Sequence, residues 1–494
     1  MDLLFLSRRI FLGDGSQDDA TLQGGIIVDT EGIIRKILRT PQEVNTHLYN
    51  TESEAVYDFG DLVLMPGLID TNVHINEPGR KDWEGFVTAT KSAAAGGFTT
   101  IIDRPTNACP TTISVSALKA KTSTARGKIY IDVGFWGGLV PGNRDQLQPL
   151  LAAGVMGLQC SLCNAAPPVG KEEFAAITES ELKEAINLVD NEADVVLAFH
   201  AELPVLKEIS ASADSSPKCY STFLTTRPHA MEVNAIKLIS QLAIQNVRHR
   251  FHILNLSSAM CLPLLKDAQQ KGAQLTTETC PHYLSLSAEE IPECGTEYKT
   301  WPPIREKANQ AALWQELRTN GKGAEAEAEA GVISIISSDH SPATPGARCL
   351  TYGKGRGNFL QAWPGINSLQ LSLPVTWTGS NEREKCLTLA DIHRLMCLEP
   401  AQLCGLSSFK GRISEGYDAD FCIWNPDEEF TVAAEDLLAS NKATPYNKRR
   451  LKGVVHATVV RGLHVYQQYE GFGQPLGKVL LRKSRNKVVK FVRM

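Results

Sequence analysis

From residue 62 onward the chain alternates between short apolar, β-branched runs and longer stretches whose apolar positions recur at helical spacing. The short runs are LVLMPGLIDTNVHI (62–75), FTTIIDRP (98–105), KIYIDVGFW (128–136), GVMGLQCSL (154–162), DVVLAFHAE (194–202), RFHILNLSS (250–258), AQLTTETC (273–280) and GVISIISSDH (331–340). Each reads as a buried strand. Between them lie DWEGFVTATKSAAAGG, SELKEAINLVDNEA, PHAMEVNAIKLISQLAIQNV and AMCLPLLKDAQQKG, several of which stop at glycine as helices often do. Eight strands separated by helices predict a closed parallel (β/α)8 TIM-like barrel over residues 62–412. The flanks follow another rhythm. GGIIVDTEGIIRKI, ADFCIWNP and VVHATVVRG are short alternating strands with glycine and aspartate turns, so residues 1–61 and 413–494 are expected to pair into one small β-sandwich domain.

Composition narrows the class further. Of 494 residues, 43% are hydrophobic and 21% charged, an ordinary balance for a globular protein. A net charge of −5 over this length points to neither nucleic acid nor an acidic membrane as partner. The opening MDLLFLSRRIFLGDG is interrupted by Arg8 and Arg9 and reads as a strand, and no apolar run has membrane-spanning length, so a cytoplasmic protein is expected. Twelve cysteines without a disulfide framework fit a reducing compartment. Cys160 and Cys163 form a lone C-x-x-C at a strand end, with no second pair to complete a structural zinc site. GAEAEAEAG (323–331) reads as a surface insertion.

Barrels of this kind build their sites at the C-terminal ends of the strands. Polar residues gather there: His74 on the first strand, Gln159 on the fourth, His200 on the fifth, Asn255 on the sixth and Asp339 on the eighth. On an extended first strand Asp70, Asn72 and His74 share one face. A histidine pair at that i, i+2 spacing would bind a metal, but the first position is asparagine.

The chain resembles the allantoinases, cyclic amidohydrolases of the amidohydrolase superfamily. The resemblance rests on MPGLIDTNVHINEPGRKDWEGF (65–86), AAAGGFTTIIDRPTN (93–107), TTRPHAMEVNAI (225–236), ETCPHYL (278–284), PPIR (302–305), SSDHSP (337–342), GNFLQAWPGINSLQ (357–370) and KGRISEGYDADF (410–421). It implies hydrolysis of the ring amide of allantoin to allantoate in purine catabolism. It also implies two zinc ions on a His-x-His pair, a carboxylated lysine, two further histidines and an aspartate that shuttles the proton, with a homotetramer as the usual assembly. Carried over, His74, His200 and Asp339 are retained, whereas Asn72, Gln159 and Asn255 replace ligands. Asparagine oxygen suits zinc poorly, and a glutamine amide forms no carbamate, so a bridged pair of dications lacks compensating anions. The expectation is a pocket without a metal cofactor and a catalytically inactive homologue. The alternatives are an active cyclic amidase with one ion on His74, His200 and Asp339, and a non-catalytic scaffold subunit of an oligomer.

Asn107, Trp301 and Asn367 match positions around the family's pocket and are expected to contact substrate, which an uncharged ureide would suit. Trp301 stands where a small residue is usual and is expected either to pack or to fill the pocket. Arg104 is read as a solvated or ion-paired rim residue, Arg80 and Arg305 as pocket supports, and His282 and His340 as scaffold histidines.

Overall fold

The computed structural model describes residues 2–15, 20–50, 55–164, 174–189, 194–205, 216–317, 331–353, 355–383, 387–485 and 488–493. Most of the alanine–glutamate insertion lies outside them. The predicted strand runs form a ring of short parallel strands. Leu68–Val73, Phe98–Asp103 and Asp132–Phe135 pair in one arc, and Gly137–Gly138, Leu158–Ser161, Val196–His200, Arg250–Leu254, Leu275–Thr279 and Ile335–Ile336 in another. A parallel bridge between Val73 and His340 joins the first strand to the eighth, where His74 N–H donates to the His340 carbonyl at 2.8 Å. Inside the ring Ile69, Ile102, Trp136, Met156, Val196, Ala198, Leu254 and Ile335 form an apolar plug. Alternation turns Leu197 and Phe199 outward against the helices, and the Phe199 ring stacks on Phe251 at 5.7 Å. His200, in phase with Val196 and Ala198, emerges at the mouth above the plug.

A nine-stranded sheet lies beside the ring. Its path runs Gly471–Phe472, Leu463–Gln467, Arg450–Val460, Phe421–Thr431, Val63–Pro66, Leu3–Ile10, Leu22–Val28 and Ile34–Leu38, with Ala55–Asp58 also on Leu3–Ile10. Strands from both ends of the chain therefore share one ladder, packed on Phe5, Ile10, Ile26, Val28, Leu64, Phe421, Ile423 and Val459. The run 62–75 divides at Pro66 and Gly67: Val63–Pro66 pairs with the outer sheet, and only Leu68 onward enters the barrel. The final hairpin, Leu480–Arg485 with Val488–Arg493, makes a sheet of its own beside the barrel base, where Val479 bridges Val133.

A buried ion cluster joins the two parts at the base. Lys410 Nζ reaches Asp132 at 3.0 Å, Asp418 at 3.3 Å and Asp420, while Arg461 holds Asp132 at 2.6 Å. Arg493 adds a bond to Asp418 at 2.5 Å, so three carboxylates meet three cations. No helix among the described residues is long and apolar enough to cross a membrane.

Candidate active site

Three strand ends carry a left-handed residue that turns the chain out of the ladder: Asn107 follows strand two at φ 66°, Asn255 strand six at 54° and Asp339 strand eight at 45°. Asn and Asp accept that conformation more readily than other non-glycine residues. The Asn107 and Asp339 turns border a cleft that opens to solvent on one side. His74, Asn107, Gln159, His200, Trp301 and Asp339 line it, together with Arg104, Thr106, Cys163, Phe174 and Trp363.

Asn72 and Asn255 lie outside that lining and meet through a single hydrogen bond. Asn72 Nδ2 donates to Asn255 Oδ1 and, at 2.6 Å, to Glu278 Oε1. Glu278 also accepts from Thr71 at 2.7 Å and lies 3.2 Å from His252 Nε2. Asn367, expected at the substrate, is buried beside the cleft and donates to the Asn441 carbonyl at 3.0 Å. Arg80 holds the Asn107 carbonyl at 2.6 Å, and His340 faces Glu84 at 3.1 Å while accepting from Ser368 and Leu369 N–H groups. These are supports for the walls.

Arg104 is the residue whose placement changes the picture most. It is 6% exposed and sits on the floor of the cleft, not on the rim. Nη1 donates to Asp339 Oδ1 at 3.2 Å and Asn72 Oδ1 at 3.3 Å. With its amide oxygen turned toward the guanidinium, Gln159 accepts from Nη2 at 2.6 Å and Nε at 3.0 Å. A fixed cation is thus shared among two replaced ligand positions and the retained aspartate. Lys121 anchors the segment from below, with Nζ 2.5 Å from Asp103 Oδ2 and 3.2 Å from the Arg104 carbonyl.

The charges follow from this arrangement. Burial pushes Asp339 up to about 6 despite the opposing pull of Arg104. Burial and the neighbouring guanidinium hold His74 well below the usual histidine range. Asn107 Nδ2 lies 3.1 Å from His74 Nδ1 and donates to it, leaving the proton on Nε2, which faces Asp339 at 3.8 Å. His74 in this tautomer presents a donor, not a lone pair, to the cleft.

Across the cleft a second group has the opposite character. His200 ends strand five, Glu202 follows at i+2, and Cys163 stands just after strand four. One donor atom from each lies within 4.8 Å of the other two. His200 Nε2 is 3.1 Å from Glu202 Oε2. Arg227 donates from Nε to Glu202 Oε1 at 3.0 Å, from Nη2 to Oε2, and to Cys163 Sγ at 3.6 Å. Trp301 stacks on that guanidinium at 3.9 Å, so the indole caps Arg227 as well as walling the cleft. Although burial opposes it, bonding to Cys163 and Glu202 lifts His200 to about 9, and Glu202 is held down near 2 chiefly by Arg227.

The family model "Amidohydrolase family" matches residues 63–465. The curated "Allantoinase" of Streptomyces avermitilis is 42% identical over 427 residues, covering 86% of this chain and 89% of that one. This chain belongs to the allantoinase family of amidohydrolases. Allantoinase relatives in Saccharomyces cerevisiae and Arabidopsis thaliana are each 38% identical, covering 89% and 96% of this chain and 91% and 90% of their own lengths. Among solved structures, the L-hydantoinase (dihydropyrimidinase) of Arthrobacter aurescens superposes with a TM-score of 0.85 at 26% identity, covering 97% of this chain and all of that one. The barrel with its attached β domain is therefore the architecture of this allantoinase homologue too.

The expectation of a pocket with no metal cofactor is overturned. Cys163, His200 and Glu202 bring thiol, imidazole and carboxylate donors together in a chain of the amidohydrolase family. Matching position by position passed over them because only His200 is a retained ligand. The signals present were the C-x-x-C at the end of strand four and the i, i+2 pair in FHAE on strand five. The donor chemistry fits one ion at this group. A lysine-bridged pair has no counterpart here, since Gln159 cannot be carboxylated and its amide is committed to Arg104.

Proposed function

We propose that the cleft takes a cyclic ureide of the allantoin class and that the protein hydrolyses its ring amide with a reduced metal set. The observation that carries this reading is the convergence, in one cleft of an allantoinase-family barrel, of a titratable carboxyl at Asp339, a fixed cation at Arg104 and the Cys163–His200 edge of a donor group. Asp339, raised to about 6, takes a proton near neutral pH and returns it to the departing ring nitrogen. Arg104 stabilises the negative charge that grows on the carbonyl oxygen during attack. Thr106, Asn107 and His74 supply neutral hydrogen-bonding groups for the urea atoms, with Phe174, Trp301 and Trp363 as apolar walls. An ion at the donor group would polarise the ring carbonyl and make a bound water acidic enough to attack at neutral pH.

A second reading, ureide binding without turnover, is favoured by the three replaced ligands and by Arg104 on the cleft floor. One experiment separates them. Purified protein is incubated with allantoin and added zinc, cobalt or manganese, while allantoin binding is measured by calorimetry. Consumption that a chelator abolishes supports hydrolysis. Saturable binding without consumption supports the second reading, and absence of both overturns the ureide assignment.

A further inference from the structure

The donor group opposite Arg104 joins residues from two strand ends and adds a thiol to the ligand types the family resemblance supplies. We infer that Cys163, His200 and Glu202 form a mononuclear site for a borderline divalent cation of the zinc class, with the Cys163 thiolate as a ligand. The site is the metal side of the hydrolytic reading above, but its occupancy is measurable without turnover.

Geometry comes first. Ligands of a tetrahedral zinc, at bond lengths of about 2.0–2.3 Å, lie roughly 3.3–3.8 Å from one another. The three donor atoms lie within 4.8 Å of one another, so closing on an ion requires inward shifts of about 1 Å. Cys163 and His200 face the cleft, which leaves the fourth position toward the ligand, as in catalytic sites with three protein ligands.

Donor type then selects the ion. A thiolate beside an imidazole disfavours magnesium and calcium, which take oxygen ligands, and favours zinc or cobalt. Arg227 grips both Glu202 oxygens and is itself held under Trp301, an outer contact of the kind that orients a metal-binding carboxylate.

Charge separates this group from the other acidic cluster. At the barrel base Asp132, Asp418 and Asp420 also converge, but Lys410, Arg461 and Arg493 already match them one for one. Once an incoming ion has displaced the proton that His200 Nε2 shares with Glu202, a thiolate and a carboxylate at the cleft meet a single permanent cation, Arg227. One net negative charge would then face the ion.

The test is a cobalt(II) titration of the metal-stripped full-length protein. We expect a thiolate-to-cobalt charge-transfer band in the near ultraviolet that saturates at one equivalent. Cys163→Ser should remove that band and weaken cobalt binding at least tenfold, while Cys160→Ser, altering a thiol absent from the cleft lining, should leave it. Far-ultraviolet circular dichroism checks that each variant is folded. Absence of the band in the parent protein, its survival in Cys163→Ser, or saturation at two equivalents would overturn the site. An intact band with no allantoin consumption would leave the site standing and refute the hydrolytic reading instead.

Discussion

Replacing Arg104 with methionine removes a buried guanidinium of similar length and leaves Asp339, Asn72 and Gln159 without their shared partner. The cost should depend on pH in a way that identifies Asp339. Its carboxyl titrates near 3.9 in an unfolded chain and at about 6 in the fold, so above pH 6 its burial already disfavours the parent by about 3 kcal/mol, at about 1.4 kcal/mol per unit. Because the folded value is raised, parent stability falls as pH rises from about 4 to 6 and then levels. Without Arg104 the folded value climbs further, so the variant keeps losing stability above pH 6, and the gap through Asp339 grows from about zero at pH 5 to at most about 1 kcal/mol at pH 7 and at most about 3 kcal/mol at pH 8. Orphaning Gln159 and Asn72 adds a pH-independent cost of about 2 kcal/mol. Urea unfolding of metal-stripped protein, followed by tryptophan fluorescence at pH 5 and pH 8, reads both parts. In an Asp339→Asn background the pH-dependent part should vanish. A stability difference equal at the two pH values would refute the pairing and, with it, the placement of the cation on the cleft floor.

Other consequences follow from particular contacts. His282 is fully buried, neither ring nitrogen has a partner among the described residues, and burial holds it at about 3. Its folded value is depressed, so its contribution is present above pH 6.5 and is lost as pH falls toward 3; His282→Phe should flatten the acid limb of the stability curve by about 1.4 kcal/mol per unit in that window, measured by urea midpoints. Lys410→Met leaves Asp420 without its cation, while Asp132 keeps Arg461 and Asp418 keeps Arg493, and should cost about 3–5 kcal/mol, seen as a marked fall in the thermal unfolding midpoint at pH 7 that narrows at acid pH. The triple reversion Asn72→His, Gln159→Lys, Asn255→His should bind no second ion while Arg104 remains, and should gain one when Arg104→Met is added; elemental analysis counts the ions, and two ions in the triple variant alone would show that Arg104 is no obstacle.

Much of the fold is legible along the chain because most barrel strands are runs buried on both faces, with apolar stretches such as Val196–Phe199 marking them. The run 62–75 is the exception. Val63–Pro66 and Leu68–Val73 look continuous, yet Pro66 and Gly67 divide them between two sheets, and nothing local says which ladder takes the first half. The site is legible only where one strand end carries the signal, as at His74, His200 and Asp339. Arg104 reads as a rim residue because its partners Asn72, Gln159 and Asp339 come from three other strands. Cys163 and Glu202 escape for a related reason: their meaning depends on strands four and five lying side by side, and on Arg227, which the chain delivers 25 residues after Glu202.

In the arrangement proposed above, one ion beside Cys163 and a guanidinium between Asn72, Gln159 and Asp339 stand in place of the bridged ion pair that the family resemblance implies. An anomalous difference map from crystals of the zinc-loaded protein, recorded across the zinc edge, tests it most directly. A single peak bonded to Cys163 Sγ and His200, with the Arg104 side chain ordered on the cleft floor, is the expected result. Two adjacent peaks near Gln159 with Arg104 displaced, or no peak at Cys163, would contradict it.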